Sequence, residues 1–279
     1  PEGVFTNLFL DNEQAGNAIA HPAVRGVTLT GSSRAGSEVA RQAGAALKPI
    51  LLELGGSDPF VVFPDADMDD AVATGVASRL LNNGQSCIAA KRFLVHADVV
   101  DEFAAAFVER MAAQRVGDPA ATETDVGPLA REDLMATLAA QVDASVAAGA
   151  APILEGGGGP EAGFFYRPAV LRNAPADSPA GCEELFGPVA VIETFASDDE
   201  AVERANRTRY GLGASLWTRD RARIDDLIPR IDAGSVFING MVKSDPRLPF
   251  GGVKDSGFGR ELAREGVLEF VNTKTVWIR

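Results

Sequence analysis

The sequence predicts an α/β fold, on three observations. A strand-prone run at Val27–Thr30, a helix-prone stretch over 37–46 and a short apolar run over 50–52 follow one another in the rhythm of a βαβ unit. Further β-prone runs then alternate with helical stretches through most of the remaining chain. The composition, 46% hydrophobic and 23% charged over 279 residues, suits a globular chain with a sizeable core.

Each element has its local reason. Val27–Thr30 runs into Gly31-Ser32-Ser33-Arg34-Ala35-Gly36, a turn of small residues, and then into the alanine-rich helix 37–46. Pro49 stops that helix before the strand 50–52. Only one complete βαβ unit is visible, where a dinucleotide-binding domain normally has more. Residues 60–63 read as a buried strand, and 65–82 as a helix whose acidic first turn suits the helix dipole. Arg92–His96 is the next strand. Residues 99–115 and 131–148 carry apolar residues at helical spacing. The glycine run 156–159 opens a loop over 156–163. Residues 189–194 form a strand, and Ser197-Asp198-Asp199-Glu200 is a capping box opening a helix. Gly213–Trp217 and Ser235–Ile238 are strands flanking a helix over 224–231. A glycine-rich tail, 249–259, precedes a helix over 260–270. Residues 273–278 alternate as a strand without a neighbouring mate, so they join a distant sheet or another chain.

The formal net charge of −13 argues against a nucleic-acid partner, which needs a basic face. No apolar run approaches the ~20 residues that span a bilayer, so no membrane partner is expected. Pro1-Glu2-Gly3-Val4-Phe5 lacks the features of a signal peptide and reads like a segment cut from a longer protein. Two cysteines are no disulfide framework and fit a reducing, cytoplasmic setting. His21 and His96 show no ligand spacing, and no metal is expected.

Two segments carry chemistry. Leu52-Glu53-Leu54-Gly55-Gly56 sets a carboxylate beside a glycine turn, and Gly84-Gln85-Ser86-Cys87-Ile88 sets a thiol in a loop of small residues. A thiolate can bond to a carbonyl carbon, and a nearby carboxylate can activate the water that releases it. A free thiol is mostly protonated at neutral pH, so amide groups at the start of a loop or helix would have to favour its thiolate. Cys182 lies beside Glu183 and Glu184, whose charge disfavours a thiolate, and reads as structural. Arg34 reads as a surface residue.

Both segments resemble the active-site signatures of the aldehyde dehydrogenase superfamily, and the resemblance runs from Pro1 to Arg279. It implies an aldehyde dehydrogenase-like α/β fold: a partial Rossmann-type cofactor domain, an α/β catalytic domain and a C-terminal oligomerisation strand. The corresponding spans are 1–53 for the C-terminal half of the dinucleotide-binding domain and 54–247 for the catalytic domain. Residues 248–270 would return to the cofactor domain, and 271–279 would form the oligomerisation strand. The resemblance makes Cys87 the nucleophile and Glu53 the general base. It places Gly31, Ser32 and Gly36, with Leu54 and Gly55, at the cofactor, and Ser32 against its pyrophosphate. Glu184 would grip the nicotinamide ribose and Phe186 would pack near that ring. Asn239 and the segments 249–252 and 254–257 match the late signature, where Phe250 would line the substrate tunnel.

Within the superfamily, 83–93, 239–241 and 248–260 are similar to bacterial succinate-semialdehyde dehydrogenases. An aldehyde bearing a carboxylate needs a cation or hydroxyls at the tunnel mouth, and Ser244 and Arg247 are candidates alongside plain surface roles. Leu81 stands where some relatives carry an arginine, and no second cysteine adjoins Cys87. The implied reaction runs through a Cys87 thiohemiacetal, hydride transfer to NAD or NADP, and a thioester hydrolysed with the help of Glu53. The Cys87 amide and a side-chain amide elsewhere would hold the oxyanion. The residue that chooses between the two cofactors normally follows a strand with no match here. The family's asparagine oxyanion donor and its adenosine-ribose lysine also match no position, so the chain alone is expected to be weakly active or inactive. A homodimer or homotetramer is implied. Dehydrogenation of another semialdehyde or an aliphatic aldehyde, or an inactive truncated paralogue with an assembly role, are the alternatives.

Overall fold

A computed structural model describes every residue from Pro1 to Arg279 except Glu161. Its first unit follows from local chemistry. Asp11 and Gln14 exchange backbone and side-chain hydrogen bonds in a capping box that opens α1 (Asn12–Ala20). β1 (Val27–Thr30) leads to Ser32, whose hydroxyl accepts the Ala35 N–H at 3.3 Å and starts α2 (Ser33–Ala45). β2 (Ile50–Glu53) then pairs parallel to β1, from Val27 opposite Ile50 to Thr30 opposite Glu53. Strand, crossover helix and parallel strand make one βαβ unit.

A seven-stranded sheet forms the larger part. In chain order it is built with β3 (Pro59–Val62), α3 (Met68–Leu80), β4 (Arg92–His96), α4 (Val100–Ala112), α5 (Glu132–Ala147), β5 (Ala151–Leu154), β6 (Ala169–Arg172), α6 (Pro179–Cys182) and β7 (Val189–Phe195). Then come α7 (Asp198–Asn206), β8 (Tyr210–Gly211), β9 (Gly213–Trp217), α8 (Arg221–Leu227) and β10 (Ser235–Ile238). The strand order is β10-β9-β3-β4-β7-β6-β5, parallel throughout except for the antiparallel edge pair β5–β6. Strands buried on both faces read as near-continuous apolar runs, as Phe60-Val61-Val62-Phe63 does. Phe60, Phe93 and Trp217 pack on one face with Phe103 and Phe107 of α4. Val61, Leu94 and Leu216 face the other side, with Ala201 of α7 and Leu227 of α8.

The tail returns to the first unit and forms a separate two-stranded pair with β8. β11 (Val253–Lys254) pairs antiparallel with β8, and β12 (Gly257–Phe258) pairs antiparallel with β2, Gly257 opposite Glu53. The last helix, α9, covers only Ala263–Leu268 of the expected 260–270, because Leu262 and Ala263 enter it with positive φ of 61° and 49°. Residues 273–278, expected as a strand, form none. No neighbouring strand supplies a hydrogen-bonding ladder there, and Val276, Trp277 and Ile278 stand exposed. The α2 helix starts at Ser33 rather than 37, because Ser32 supplies the cap. The helix expected over 224–231 begins at Arg221, capped by Asp220, and tightens into a 3₁₀ turn at Ile228–Arg230. No described helix is long and apolar enough to cross a membrane.

Phe93 is fully buried and its ring contacts those of Phe60, Phe103 and Phe107. Phe93→Ala should lower unfolding free energy by about 3–5 kcal/mol in a urea titration. A loss under about 1 kcal/mol would mean that this aromatic cluster does not organise the core.

Candidate active site

The site is built where the two sheets meet. Glu53 is the last residue of β2, and Leu54-Gly55-Gly56 carries the chain from there into β3. Ser256 fixes this turn from the side: its hydroxyl donates to the Gly55 carbonyl at 2.7 Å and accepts the Gly211 N–H at 3.0 Å. Its own carbonyl accepts the Leu54 N–H. The glycines are required by space. A Cβ at Gly56 would lie 2.4 Å from the Cys87 carbonyl oxygen, and one at Gly55 would lie 2.5 Å from Glu184 Oε2. The turn therefore brings β2, the Cys87 loop and Glu184 together.

The Cys87 loop follows a 3₁₀ turn at Leu81–Gly84 in which Asn82 and Asn83 adopt positive φ. The Asn83 side chain accepts from the Gly127 N–H and donates to the Pro128 carbonyl. Arg79, buried in α3, donates to the Gly84 carbonyl at 2.8 Å. Cys87 is half-buried and packs against the cluster of Ile88, Leu212 and Val242, which Phe237 and Phe250 also flank. Burial pushes its thiol up to about 11, against the opposing pull of the Lys91 ammonium; Asp58, Glu184 and Glu53 add to the rise.

Glu53 is almost wholly buried, and neither carboxylate oxygen has a hydrogen-bond partner among the described residues. Its side chain lies against Gly251, where a Cβ would sit 2.9 Å from Oε1. Burial, reinforced by Glu261 and opposed by Arg260, pushes its carboxyl from 4.5 up to about 7. Glu53 and Cys87 thus share one neighbourhood without a direct hydrogen bond. Such a carboxyl gains and loses a proton near neutrality, as a general base must.

The other expected residues divide by place. Gly31 and Ser32 are exposed at the start of α2, and Gly36 packs so tightly on Leu54 that a Cβ would meet it at 2.6 Å. Tyr210 stands beside Gly55 and Glu184: its ring would lie 3.0 Å from a Cβ on Gly55. Glu184 accepts the Gly56 N–H at 3.2 Å and lies 3.5 Å from the Lys91 ammonium. Phe186 is half-buried two residues on. Phe250 flanks the same apolar cluster as Cys87, but Ser244 and Arg247 are exposed, and the Arg247 guanidinium is held by both oxygens of Asp245 at 2.8 and 2.5 Å. Arg34 is exposed, and the Cys182 thiol donates to the Ser178 carbonyl. Asn239 is a bracket, bonding both the N–H and the carbonyl of Thr218.

The sequence reading missed Asp58, Arg79, Lys91, Tyr210 and Ser256. A signal existed for Lys91: a Lys-Arg pair opening an otherwise apolar strand must be buried with partners. Arg92 of that pair donates to the carbonyls of Ser57, Arg204 and Ala205. Among the described residues no group of three or more His, Cys, Asp or Glu could hold a metal ion.

The fold and this glycine-turn and cysteine-loop arrangement define an α/β protein of the aldehyde dehydrogenase kind. The chain belongs to the aldehyde dehydrogenase family, whose model matches residues 1–276. It is 52% identical over 278 residues to succinate-semialdehyde dehydrogenase [NADP(+)] 1 of Mycobacterium bovis, covering 100% of this chain and 61% of that protein. The corresponding Mycobacterium ulcerans protein is 51% identical over 280 residues, with the same coverage. The chain therefore spans about 61% of the length of the curated relatives it matches. Among solved structures, the succinic semialdehyde dehydrogenase of Streptococcus pyogenes in complex with NADP+ superposes with a TM-score of 0.95 at 37% identity. That match covers 98% of this chain and 60% of the other. The structure of Gox0499 superposes with a TM-score of 0.97 at 44% identity, over 100% of this chain and 61% of that one.

The raised Glu53 carboxyl has a consequence for stability. The folded state favours its protonated form, so folding loses stability as pH rises from 4.5 through about 7 and recovers it on acidification. Glu53→Gln, which cannot ionise, should be more stable than wild type at pH 8, with the gap closing towards pH 4 in parallel denaturant titrations. A gap independent of pH would show that Glu53 is ionised without penalty.

Proposed function

We propose that the whole protein is an NADP-dependent succinate-semialdehyde dehydrogenase and that this chain carries its nucleophile and its general base. The observation that carries the reading is the glycine turn that seats the Glu53-bearing end of β2 against the Cys87 loop. Similarity to the mycobacterial and streptococcal enzymes supports the substrate and the choice of NADP.

Cys87 Sγ attacks the aldehyde carbon, and the developing oxyanion meets the Cys87 amide. A nicotinamide cofactor, when bound, supplies the hydride acceptor that turns the thiohemiacetal into a thioester. Glu53, close to neutral pKa and without a fixed partner, takes a proton from the water that releases the acid. The residues present suit the cofactor. Gly31 and Ser32 expose the N-terminal end of α2 to a pyrophosphate, while Leu54 underlies it through Gly36. Gly55 leaves room beside the Glu184 carboxylate for a ribose, and Phe186 flanks the ring. Phe250, which flanks the same apolar cluster as Cys87, lines the substrate tunnel. Ser244 and Arg247 are the candidates for the substrate carboxylate, and Arg247 would exchange Asp245 for it. The spans 1–53, 54–247 and 248–270 serve as cofactor, catalytic and return segments. The exposed apolar residues of 271–279 favour strand pairing with a second copy, hence a homodimer or homotetramer.

In the whole protein, cofactor reduction should be faster with succinic semialdehyde than with a neutral aldehyde of equal length, faster with NADP than NAD, and absent in Cys87→Ala. Equal rates for the two aldehydes would redirect the proposal to another aldehyde. Reduction surviving in Cys87→Ala would remove the nucleophile.

A further inference from the structure

The Cys87 loop rests on a buried ammonium that the reaction outlined above does not use. Lys91 is 1% exposed, at the foot of β4. Its Nζ donates to the carbonyls of Ser86 at 3.0 Å, Cys87 at 3.1 Å and Ala89 at 3.1 Å. These three bonds use all the donors an ammonium has. Glu184 Oε1, at 3.5 Å, is its ion-pair partner, and the same oxygen accepts the Gly56 N–H. Burying a lone ammonium costs several kcal/mol, so three aimed carbonyls and a carboxylate form a built cradle.

The geometry has two effects on Cys87. In a trans peptide the C=O and the following N–H point in opposite directions, and no described peptide is cis. Pulling the Ser86 carbonyl onto Lys91 therefore turns the Cys87 N–H away from Lys91, to the side opposite the cradle. The Ser86–Cys87 peptide is fixed before any substrate arrives. The second effect is electrostatic: a positive charge close under the Cys87 carbonyl favours the thiolate of the same residue. The charged groups facing Cys87 are Lys91, Asp58, Glu184 and Glu53, and Lys91 alone among them is a cation. Lys91 itself faces Glu184, Asp58, Arg79 and Cys87.

We propose that Lys91 is a positioning residue for Cys87: its buried ammonium clamps the Ser86, Cys87 and Ala89 carbonyls, thereby aiming the Cys87 amide and holding a cation beside the thiol. The proposal rests on Cys87 as the reactive thiol, yet its test needs neither turnover nor cofactor.

The test is the pH dependence of Cys87 alkylation by iodoacetamide in the cofactor-free chain, read by mass spectrometry of the Cys87 peptide so that Cys182 does not contribute. Lys91→Met, which keeps length but loses charge and donors, should move the midpoint to higher pH. At neutral pH its rate should fall about tenfold, the low end of what a close charge does to a thiol. The limiting rate at high pH should be retained. Lys91→Arg should restore a midpoint near wild type. An unchanged midpoint in a Lys91→Met protein with native circular dichroism would overturn the proposal. Should that variant not fold, Lys91→Gln, which keeps donors but no charge, replaces it with the same two readings. A failed dehydrogenase assay would leave this result standing, so the two proposals fail separately.

Discussion

Backbone meets backbone at the centre of this molecule, and most of the site follows from that contact. Gly56 passes so near the Cys87 carbonyl that a single added carbon would sit 2.4 Å from its oxygen. No side chain fits there, and any shift at the turn moves the end of β2 with it. Glu53 is the last residue of that strand, so its position relative to the Cys87 loop is inherited from the contact. The tail is drawn into the same arrangement: Gly257 pairs with Glu53, and a Cβ at Gly257 would lie 1.9 Å from the Leu52 carbonyl. Ser256 then bonds the turn twice, its hydroxyl to Gly55 and its carbonyl to Leu54. Residues from three distant stretches of chain thus converge on a few ångströms of backbone.

Around that contact lie buried charges that a core normally excludes. Asp58, Arg79, Lys91 and Glu53 are all nearly inaccessible, and burial pushes the Asp58 carboxyl up to about 7 and the Arg79 guanidinium down to about 9. Buried charges without full pairing are destabilising, and several atoms here lack a partner, among them both Glu53 oxygens, Asp58 Oδ2 and Arg79 Nε. Such unpaired polar atoms cluster where a protein gives up stability for chemistry. The surrounding aromatic and aliphatic core, from Phe60 to Trp217, supplies the rigidity that keeps them in place.

Much of this was legible in the sequence, and the remainder failed for physical reasons. The βαβ opening, the strands Arg92–His96 and Gly213–Trp217 and the long helices stood out because apolar spacing reports burial directly. β5 and β6 were missed: Ala151–Leu154 is a largely exposed edge strand that contains Pro152, and Ala169–Arg172 follows Pro168 out of the glycine-rich loop. α1 was missed although Asp11 and Gln14 carry its capping box. The alternation over 273–278 forms no strand within one chain, because a strand needs a ladder partner and this chain supplies none there. At the site, Glu53, Cys87 and Glu184 could be picked out from motifs. Ser256 and Tyr210 could not, because their importance comes from contacts with residues as much as 201 positions away.

The most direct test that Glu53 and Cys87 form one site is a trapping measurement on the Glu53→Gln variant of the whole protein, mixed with succinic semialdehyde and NADP and analysed by peptide mass spectrometry. The expected result is a burst of NADPH matched by a succinyl group on Cys87, which accumulates because its hydrolysis has lost its base. Steady turnover in Glu53→Gln at the wild-type rate, or a succinyl group found on Cys182 instead, would contradict it.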